Sequence, residues 1–243
     1  MSTDILKLGS IEALVVRKSV KNLHLSVLPP MGKVRVTAPE SMTDDAIRTL
    51  LATRLPWIKK QQEKFKNQAR QTRRKYVSGE THYFFGHRYR LEVVCENTVP
   101  AIILKGKTKI ILQVRPDSSI EKRSDVMTEW YRKELLPVAA KLMEKWQKEL
   151  KVEAKSWKIQ RMKTRWGSCN HKAGRILLNL ELAKKPIACL EYVIVHELLH
   201  MIEKKHNENF VNMLSGYIPR WKSIKEELNR SLLSHEEWQY GSK

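Results

Sequence analysis

The sequence has few cysteines, no long apolar run and a shortage of acidic residues, and each of these absences argues against a class of protein. Its 243 residues include three cysteines, Cys95, Cys169 and Cys189, which are far apart and form no CxxC pair. Neither a disulfide framework nor a cysteine-rich zinc site is therefore expected. No apolar run approaches the roughly 18–20 residues that a membrane span requires.

The beginning of the sequence does not resemble a secretory signal. Charged residues at Asp4, Lys7 and Glu12 interrupt the apolar stretch that such a signal needs. Together with the unpaired cysteines, this predicts a soluble protein in the reducing environment of the cytoplasm, with no membrane span.

The shortage of acidic residues produces a large positive charge. There are 46 Lys and Arg against 26 Asp and Glu, a formal net charge of +20. Two segments carry most of it: Lys59–Lys75 has eight basic residues and one acidic residue, and residues 154–180 have seven basic residues and no acidic one. Such a charge favours acidic partners, including nucleic acid and nucleotides, but a solvated surface that keeps the protein soluble is an equally simple explanation.

The order of predicted elements indicates an α+β protein. Segments rich in β-branched residues predict three strands over residues 11–37, two hairpins over residues 81–114 and three strands over residues 157–180. Apolar residues at helical spacing predict helices between these groups and after Pro186.

One predicted helix has a clear start signal at Thr43. It is broken or kinked at Pro56 and continues to about residue 74 as a long basic helix that projects from the core. Another helix spans about Ser119–Leu150, with a kink expected at Pro137. We expect a β-rich N-terminal region, with the basic helix and the hairpins, over residues 1–118, and a second region over residues 119–243. The two regions could also form one continuous domain.

A histidine–glutamate motif in an apolar helical stretch carries the clearest chemistry. The run His196-Glu197-Leu198-Leu199-His200 places two histidines one turn apart on the same helix face, so both imidazoles can bind one metal ion. Glu197 lies beside them, with a carboxylate that can accept a proton from metal-bound water. This HExxH pattern is typical of zincins, in which Zn²⁺ lowers the pKa of water and the glutamate is the general base. We therefore expect residues 119–243 to form a zincin-like catalytic region, with the HExxH helix beside a small β-sheet.

A catalytic zinc site needs a third protein ligand, and His206 is the first choice. It lies ten residues after His196, which on one continuous helix would place it about 80° around the axis and roughly 15 Å along it. The chain must therefore turn between His200 and His206, and we place the turn at Lys204–Lys205. Other ligands remain open, namely Glu203, Glu208, Glu226 and Glu227.

Several segments together resemble one known family. They are Arg165–Cys169, Ile176–Asn179, Tyr192–His200, His206 and Phe210. The set resembles the YgjP-type family of metal-dependent hydrolases, which is similar to the minimal gluzincin-like peptidases and more distantly to the Wss and SprT metalloproteases. The resemblance covers most of the chain. It implies a zinc site at His196, His200 and His206, with one Zn²⁺ per chain and with Glu197 as the catalytic acid and base.

The residues before the motif bear on the substrate. Strands predicted over Arg165–Cys169 and Arg175–Leu180 form a hairpin beside the HExxH helix, and the edge of such a hairpin can align an extended peptide. Because this hairpin belongs to the acid-free basic segment, we expect the approach to the metal to be electropositive. Arg165 is a candidate for substrate binding, by stabilising an oxyanion or a phosphate, although a strand-surface arginine without a role is the simpler alternative.

Three functions remain open from the sequence. The first is a zinc-dependent hydrolase, most simply a metallopeptidase that uses a Glu197-activated water. The second is hydrolysis of a nucleoside triphosphate at the same centre, although enzymes of that kind usually hold Mg²⁺ through carboxylates. The third is a nucleic-acid-binding protein with a structural or vestigial metal site, in which Lys59–Lys75 is the contact surface. Such a surface could also recruit a nucleoprotein substrate to a hydrolase.

Overall fold

A computed structural model describes residues 3–28, 31–67, 74–162 and 165–230, apart from the side chains of residues 64–67, 229 and 230. It confirms the predicted α+β class, with α-helices and three small β-sheets. Within the described residues, no helix is both long enough and apolar enough to cross a bilayer.

The described residues divide into two compact units, one within residues 1–72 and the other within residues 73–234. This division differs from the one expected between residues 118 and 119. The reason is that both hairpins over residues 81–114 pack on the same core as the HExxH helix, through buried residues such as Phe84, Leu91 and Leu112.

The N-terminal unit is a four-stranded sheet with two helices. Its strands are β1 (Thr3–Leu8), β2 (Ile11–Lys18), β3 (His24–Leu28) and β4 (Lys33–Pro39), in the order β1-β2-β4-β3. The sequence analysis missed β1, which buries only Leu6 and therefore gives a weak apolar signal. Helix α1 (Asp44–Thr53) begins as predicted after Thr43, whose side chain accepts a hydrogen bond from the Ala46 N–H.

The predicted break lies at Arg54, and helix α2 (Leu55–Asn67) contains Pro56 in its first turn. Its basic continuation, residues 68–73, lies outside the described residues, as do the side chains of residues 64–67. The projecting basic helix therefore stays a prediction.

The larger unit contains a second sheet and a long helix. The strands are β5 (Thr81–Phe84), β6 (His87–Cys95), β7 (Ala101–Lys105) and β8 (Lys109–Val114). Both hairpins are as predicted, but β6 and β8 also pair in parallel and give the order β5-β6-β8-β7. Helix α3 (Ile120–Leu150) has the predicted span, is capped by the Ser119 side chain and runs unbroken through Pro137.

The third sheet stands beside the HExxH helix. It consists of β9 (Ser156–Gln160), β10 (Gly167–Asn170) and β11 (Arg175–Asn179), in the order β10-β11-β9. Strands β10 and β11 form the predicted antiparallel hairpin, which leaves β10 at an edge of the sheet. The chain then forms α4 (Ile187–Leu199), α5 (Glu208–Tyr217) and α6 (Trp221–Arg230).

Candidate active site

Helix α4 holds His196 and Glu197 in the core of the larger unit. Apolar residues such as Leu190, Ile194 and Leu198 are completely buried along it, so packing fixes the helix on several sides. The rings of His196 and His200 lie one turn apart, with centroids separated by 4.9 Å. The two histidines therefore share one helix face, as the HExxH spacing predicts.

The chain turns away earlier than the sequence analysis placed the turn. Helix α4 ends at Leu199, and His200 is already its C-terminal capping residue. The Leu199 carbonyl accepts hydrogen bonds from the backbone N–H groups of Ile202 and Glu203, at 2.9 and 2.8 Å, and these bonds close the last turn. The chain bends again at the predicted Lys204–Lys205, so the turn between His200 and His206 begins earlier than predicted and extends through these residues.

The segment after this turn brings the third histidine back to the first two. The Asn207 side chain accepts a hydrogen bond from the Phe210 N–H at 3.0 Å and so begins α5. Phe210 is buried, and its ring centroid lies 5.0, 4.8 and 4.8 Å from those of His196, His200 and His206. One aromatic ring therefore supports all three imidazoles.

The three histidines have a geometry that fits a metal ion. One nitrogen from each ring lies within 4.8 Å of the others, and the Nε2 atoms of His196 and His206 are 3.0 Å apart. Two nitrogens on a tetrahedral zinc, each at about 2.0–2.1 Å, lie roughly 3.3 Å apart. The Nδ1 of His200 is 3.1 Å from the Glu203 carbonyl oxygen, which can only accept a hydrogen bond. Nδ1 is therefore the protonated nitrogen, and Nε2 keeps its lone pair for a metal.

The surroundings keep His196 and His206 unprotonated. Burial, together with the neighbouring His200, His206 and Lys225, lowers the pKa of His196 to about 3. Burial, with His200 and Lys225, also lowers the pKa of His206. Because a metal binds the neutral imidazole, these histidines need to release no proton at neutral pH before they bind one.

Glu197 is a buried carboxyl group beside the three rings. Only 6% of it is exposed, and burial raises its pKa to about 7, while the positive charge of Arg165 and a hydrogen bond from the Cys169 N–H act in the opposite direction. A carboxylate with a pKa near neutrality can both accept and return a proton at physiological pH.

The backbone of β10 approaches Glu197 closely at Gly167. A Cβ atom at this position would lie 2.6 Å from Glu197 Oε1 and 2.8 Å from Val193 Cγ1. The glycine of the Arg165–Cys169 segment is therefore required by space, because no side chain fits between β10 and α4.

A cavity of about 470 Å³ opens beside these residues, bounded by α4, α5, α6 and the start of β10. Arg165 lines it, where the sequence analysis placed a candidate substrate-binding residue. Two further lining residues were missed, Tyr192 and Lys225. Tyr192 precedes His196 by one helical turn, so the same spacing argument would have found it. Nothing near Lys225 in the sequence marks it, since α6 reaches the cavity only through tertiary packing.

The other polar residues near the motif have structural roles. Asn179 is fully buried and donates hydrogen bonds to the carbonyls of Met162 and Arg165, at 2.9 and 2.7 Å. Burial raises the pKa of the Cys169 thiol to about 11, with a contribution from Glu197, so this cysteine is a neutral packing residue. Tyr217 packs edge-on against Trp146, with ring centroids 5.9 Å apart.

Comparison with known proteins gives the family. The family model described as "YgjP-like, metallopeptidase domain" matches residues 21–231. The chain belongs to this YgjP-like family. Membership confirms the resemblance seen in the sequence and makes the protein a metal-dependent hydrolase. The match extends into both compact units, and in the N-terminal one it includes β3, β4 and both helices but not β1 and β2.

One solved structure shows a partial likeness to this YgjP-like chain. It is the crystal structure of the metallopeptidase zymogen of Pyrococcus abyssi abylysin, with 20% sequence identity and a TM-score of 0.37. The likeness covers 40% of this chain and 97% of that one. No curated protein matches the chain.

Proposed function

We propose that the protein is a zinc-dependent peptidase in which His196, His200 and His206 hold the metal and Glu197 is the catalytic acid and base. The observation that carries the proposal is the meeting of these residues, from α4 and the loop that follows it: one nitrogen of each histidine lies within 4.8 Å of the others, and His196, Glu197 and His206 line one cavity. The other carboxylates considered as ligands do not belong to the cluster among the described residues.

Zinc suits this set of donors better than a harder cation does. Three imidazole nitrogens are typical ligands of Zn²⁺ and related transition metals, whereas Mg²⁺ prefers oxygen ligands. When bound, zinc would polarise the scissile carbonyl and lower the pKa of water at its open position.

Glu197 supplies the proton transfer. Its carboxylate accepts a proton from the attacking water and returns it to the nitrogen of the leaving amine. The Cys169 N–H and Arg165 favour the ionised form, while burial favours the neutral one, so both states of the cycle are accessible. The narrow space at Gly167 holds the carboxyl group in place.

Strand β10 provides a place for the substrate backbone. It is the edge strand of its sheet, paired on one side with β11, and its first residue contacts Glu197. An extended peptide that adds to the free edge would place a peptide bond near the general base. Arg165, which precedes this strand and lines the cavity, is then positioned to stabilise negative charge on the substrate.

The test combines metal analysis with a substrate screen. Purified protein should contain close to one zinc per chain, and His196→Ala should lose it, whereas His171→Ala, in the exposed turn between β10 and β11, should keep it. The wild type should hydrolyse peptides, and Glu197→Gln should bind zinc but be inactive. The control Glu144→Gln changes an exposed carboxylate on α3 and should be fully active. Absence of a transition metal from the wild type would refute the proposal.

Nucleotide hydrolysis is the second candidate, favoured by the two cations Arg165 and Lys225 on the cavity wall. Nucleoside triphosphates belong in the same screen for this reason. Nucleotide turnover that disappears in Glu197→Gln, with no peptide cleavage, would replace the peptidase proposal with this one.

We retain nucleic-acid binding by the Lys59–Lys75 segment as a separate proposal, which rests on its sequence charge alone. Affinity for DNA or RNA should fall steeply with salt and weaken when Lys64, Lys66, Arg70 and Arg73 are neutralised together. Affinity that is unchanged in this variant would refute the assignment to this segment.

A further inference from the structure

Helix α6 forms one wall of the cavity and places a lysine at it. We propose that Lys225 is a specificity-determining residue that binds a carboxylate of the peptide substrate, so that the enzyme prefers peptides with an anionic group next to a large apolar one. This inference rests on the proposed peptidase function and adds the chemical class of the substrate.

The position of α6 is fixed by packing. The Trp221 indole N–H donates a hydrogen bond to the Ser215 hydroxyl at 2.9 Å, and Leu228 is buried against the core. Lys225 follows Trp221 by four residues and lies on the same helix face, with its Nζ 5.6 Å from the indole ring centroid. The helix is thus anchored at both ends of the segment that contains Lys225.

The charges in the cavity have the sign that an anionic substrate needs. Lys225 and Arg165 both line the cavity, together with His196, His206 and Glu197. Lys225 forms no ion pair with another described residue.

The remaining wall of the cavity is mainly apolar. Besides Trp221 and Leu228, α5 contributes Val211 and Leu214. Glu197 is the single carboxylate among the described residues that line the cavity. An apolar wall with an unpaired cation is complementary to a group with an apolar body and an anionic end. In a peptide, that group is an acidic side chain beside an apolar residue, or the C-terminal carboxylate of an apolar residue.

Charge variants of Lys225 test the proposal directly. A set of peptides that differ only in one residue near the cleaved bond, Glu or Gln, should show higher kcat/KM for Glu in the wild type. Lys225→Met should reduce that preference by roughly 10-fold, the size expected for a charged hydrogen bond, and Lys225→Glu should reverse it. The matched control is Lys222→Glu, because Lys222 also lies near the Trp221 ring, at 5.8 Å, but does not line the cavity.

A second arm distinguishes the two sources of the carboxylate. Peptides with a free C-terminus are compared with their amidated forms, in the wild type and in Lys225→Met. If only the free forms lose rate in the variant, Lys225 binds the C-terminal carboxylate. If the acidic side chain alone determines the loss, Lys225 binds that side chain. Either result supports the proposal. It is overturned if the wild type, Lys225→Glu and Lys222→Glu all show the same ratio of kcat/KM between the Glu and Gln peptides.

Binding measurements separate this proposal from the proposed function. Zinc-loaded Glu197→Gln is titrated calorimetrically with the Glu and Gln peptides and with inorganic phosphate. Tighter binding of the Glu peptide that depends on Lys225 supports the inference even if no peptide is cleaved, and in that case only the peptidase proposal fails. Binding of phosphate alone, with no preference between the peptides, overturns the carboxylate assignment.

Discussion

A single methyl group added at Gly167 should separate Glu197 from the metal centre. The Cβ of Gly167→Ala would lie 2.6 Å from Glu197 Oε1, 2.7 Å from Glu197 Cγ and 2.8 Å from Val193 Cγ1. Because all three distances are shorter than a normal carbon contact, β10 and α4 must move apart or Glu197 must leave its position. The three atoms nearest to this methyl group belong to Glu197 and Val193 and not to the histidines.

The expected cost follows from overpacking. Added methyl groups in a well-packed interior cost about 1–3 kcal/mol, and the small exposure of Glu197 and Val193, 6% and 3%, leaves little room for relaxation. The backbone at Gly167 is not left-handed, so the cost comes from the contacts and not from φ. Removing part of the obstacle with Val193→Ala should make the double variant less destabilised than the sum of the two single ones.

Urea unfolding of the metal-free protein and zinc titration of the folded protein provide the assay. Gly167→Ala should lower the free energy of unfolding by about 1–3 kcal/mol and remove most of the peptidase activity, while the zinc affinity changes little. The control is Gly216→Ala on α5, where a Cβ meets nothing within 4 Å; the alanine should leave stability unchanged or raise it by up to about 1 kcal/mol. Equal stability and activity for the two variants would show that the approach of β10 to Glu197 is not as tight as described.

Three further changes test other parts of the larger unit. His206→Ala should weaken zinc binding by at least about 100-fold and remove the zinc-dependent rise in melting temperature, measured by calorimetry; retention of both would reject His206 as a ligand. Burial lowers the pKa of His82 to about 4, so on acidification this histidine is protonated at a higher pH in the unfolded chain than in the folded protein. Stability should therefore fall between about pH 6.5 and 4, by up to roughly 3 kcal/mol, and His82→Leu should flatten this part of the urea-midpoint profile. Gly86→Ala should lower the melting temperature more than Gly106→Ala does. Both glycines have a positive φ, but only at Gly86 would the added Cβ meet another residue, Pro186, at 2.8 Å. Equal losses of melting temperature would contradict this.

The candidate site was predictable where its geometry is local. The spacing of His196 and His200 places both rings on one face of α4, and the structure shows them there. His206 could be chosen because it lies so close to the other two histidines in the sequence, and since a single helix cannot bring it back, a turn was required. The chain bends at the predicted Lys204–Lys205, but it leaves α4 earlier, because the last hydrogen bonds to the Leu199 carbonyl depend on where the packing of the helix ends.

Contacts between segments that are distant in the sequence were much harder to predict. Strands over residues 81–114 were predicted as hairpins, but the parallel pairing of β6 with β8 joins segments whose register no local pattern reveals. The division into compact units followed from the same packing and so differed from the expected boundary.

The sequence by itself determined the α+β class, the HExxH helix and the excess of positive charge, because periodicity, motif spacing and composition act over a few residues. Only the tertiary structure decided that Gly167 must have no side chain, that Phe210 supports three histidines and that Lys225 reaches the cavity. All three features depend on the distances between β10, α4, α5 and α6. These distances result from the packing of apolar faces that lie far apart in the sequence, so no short segment of the sequence determines them.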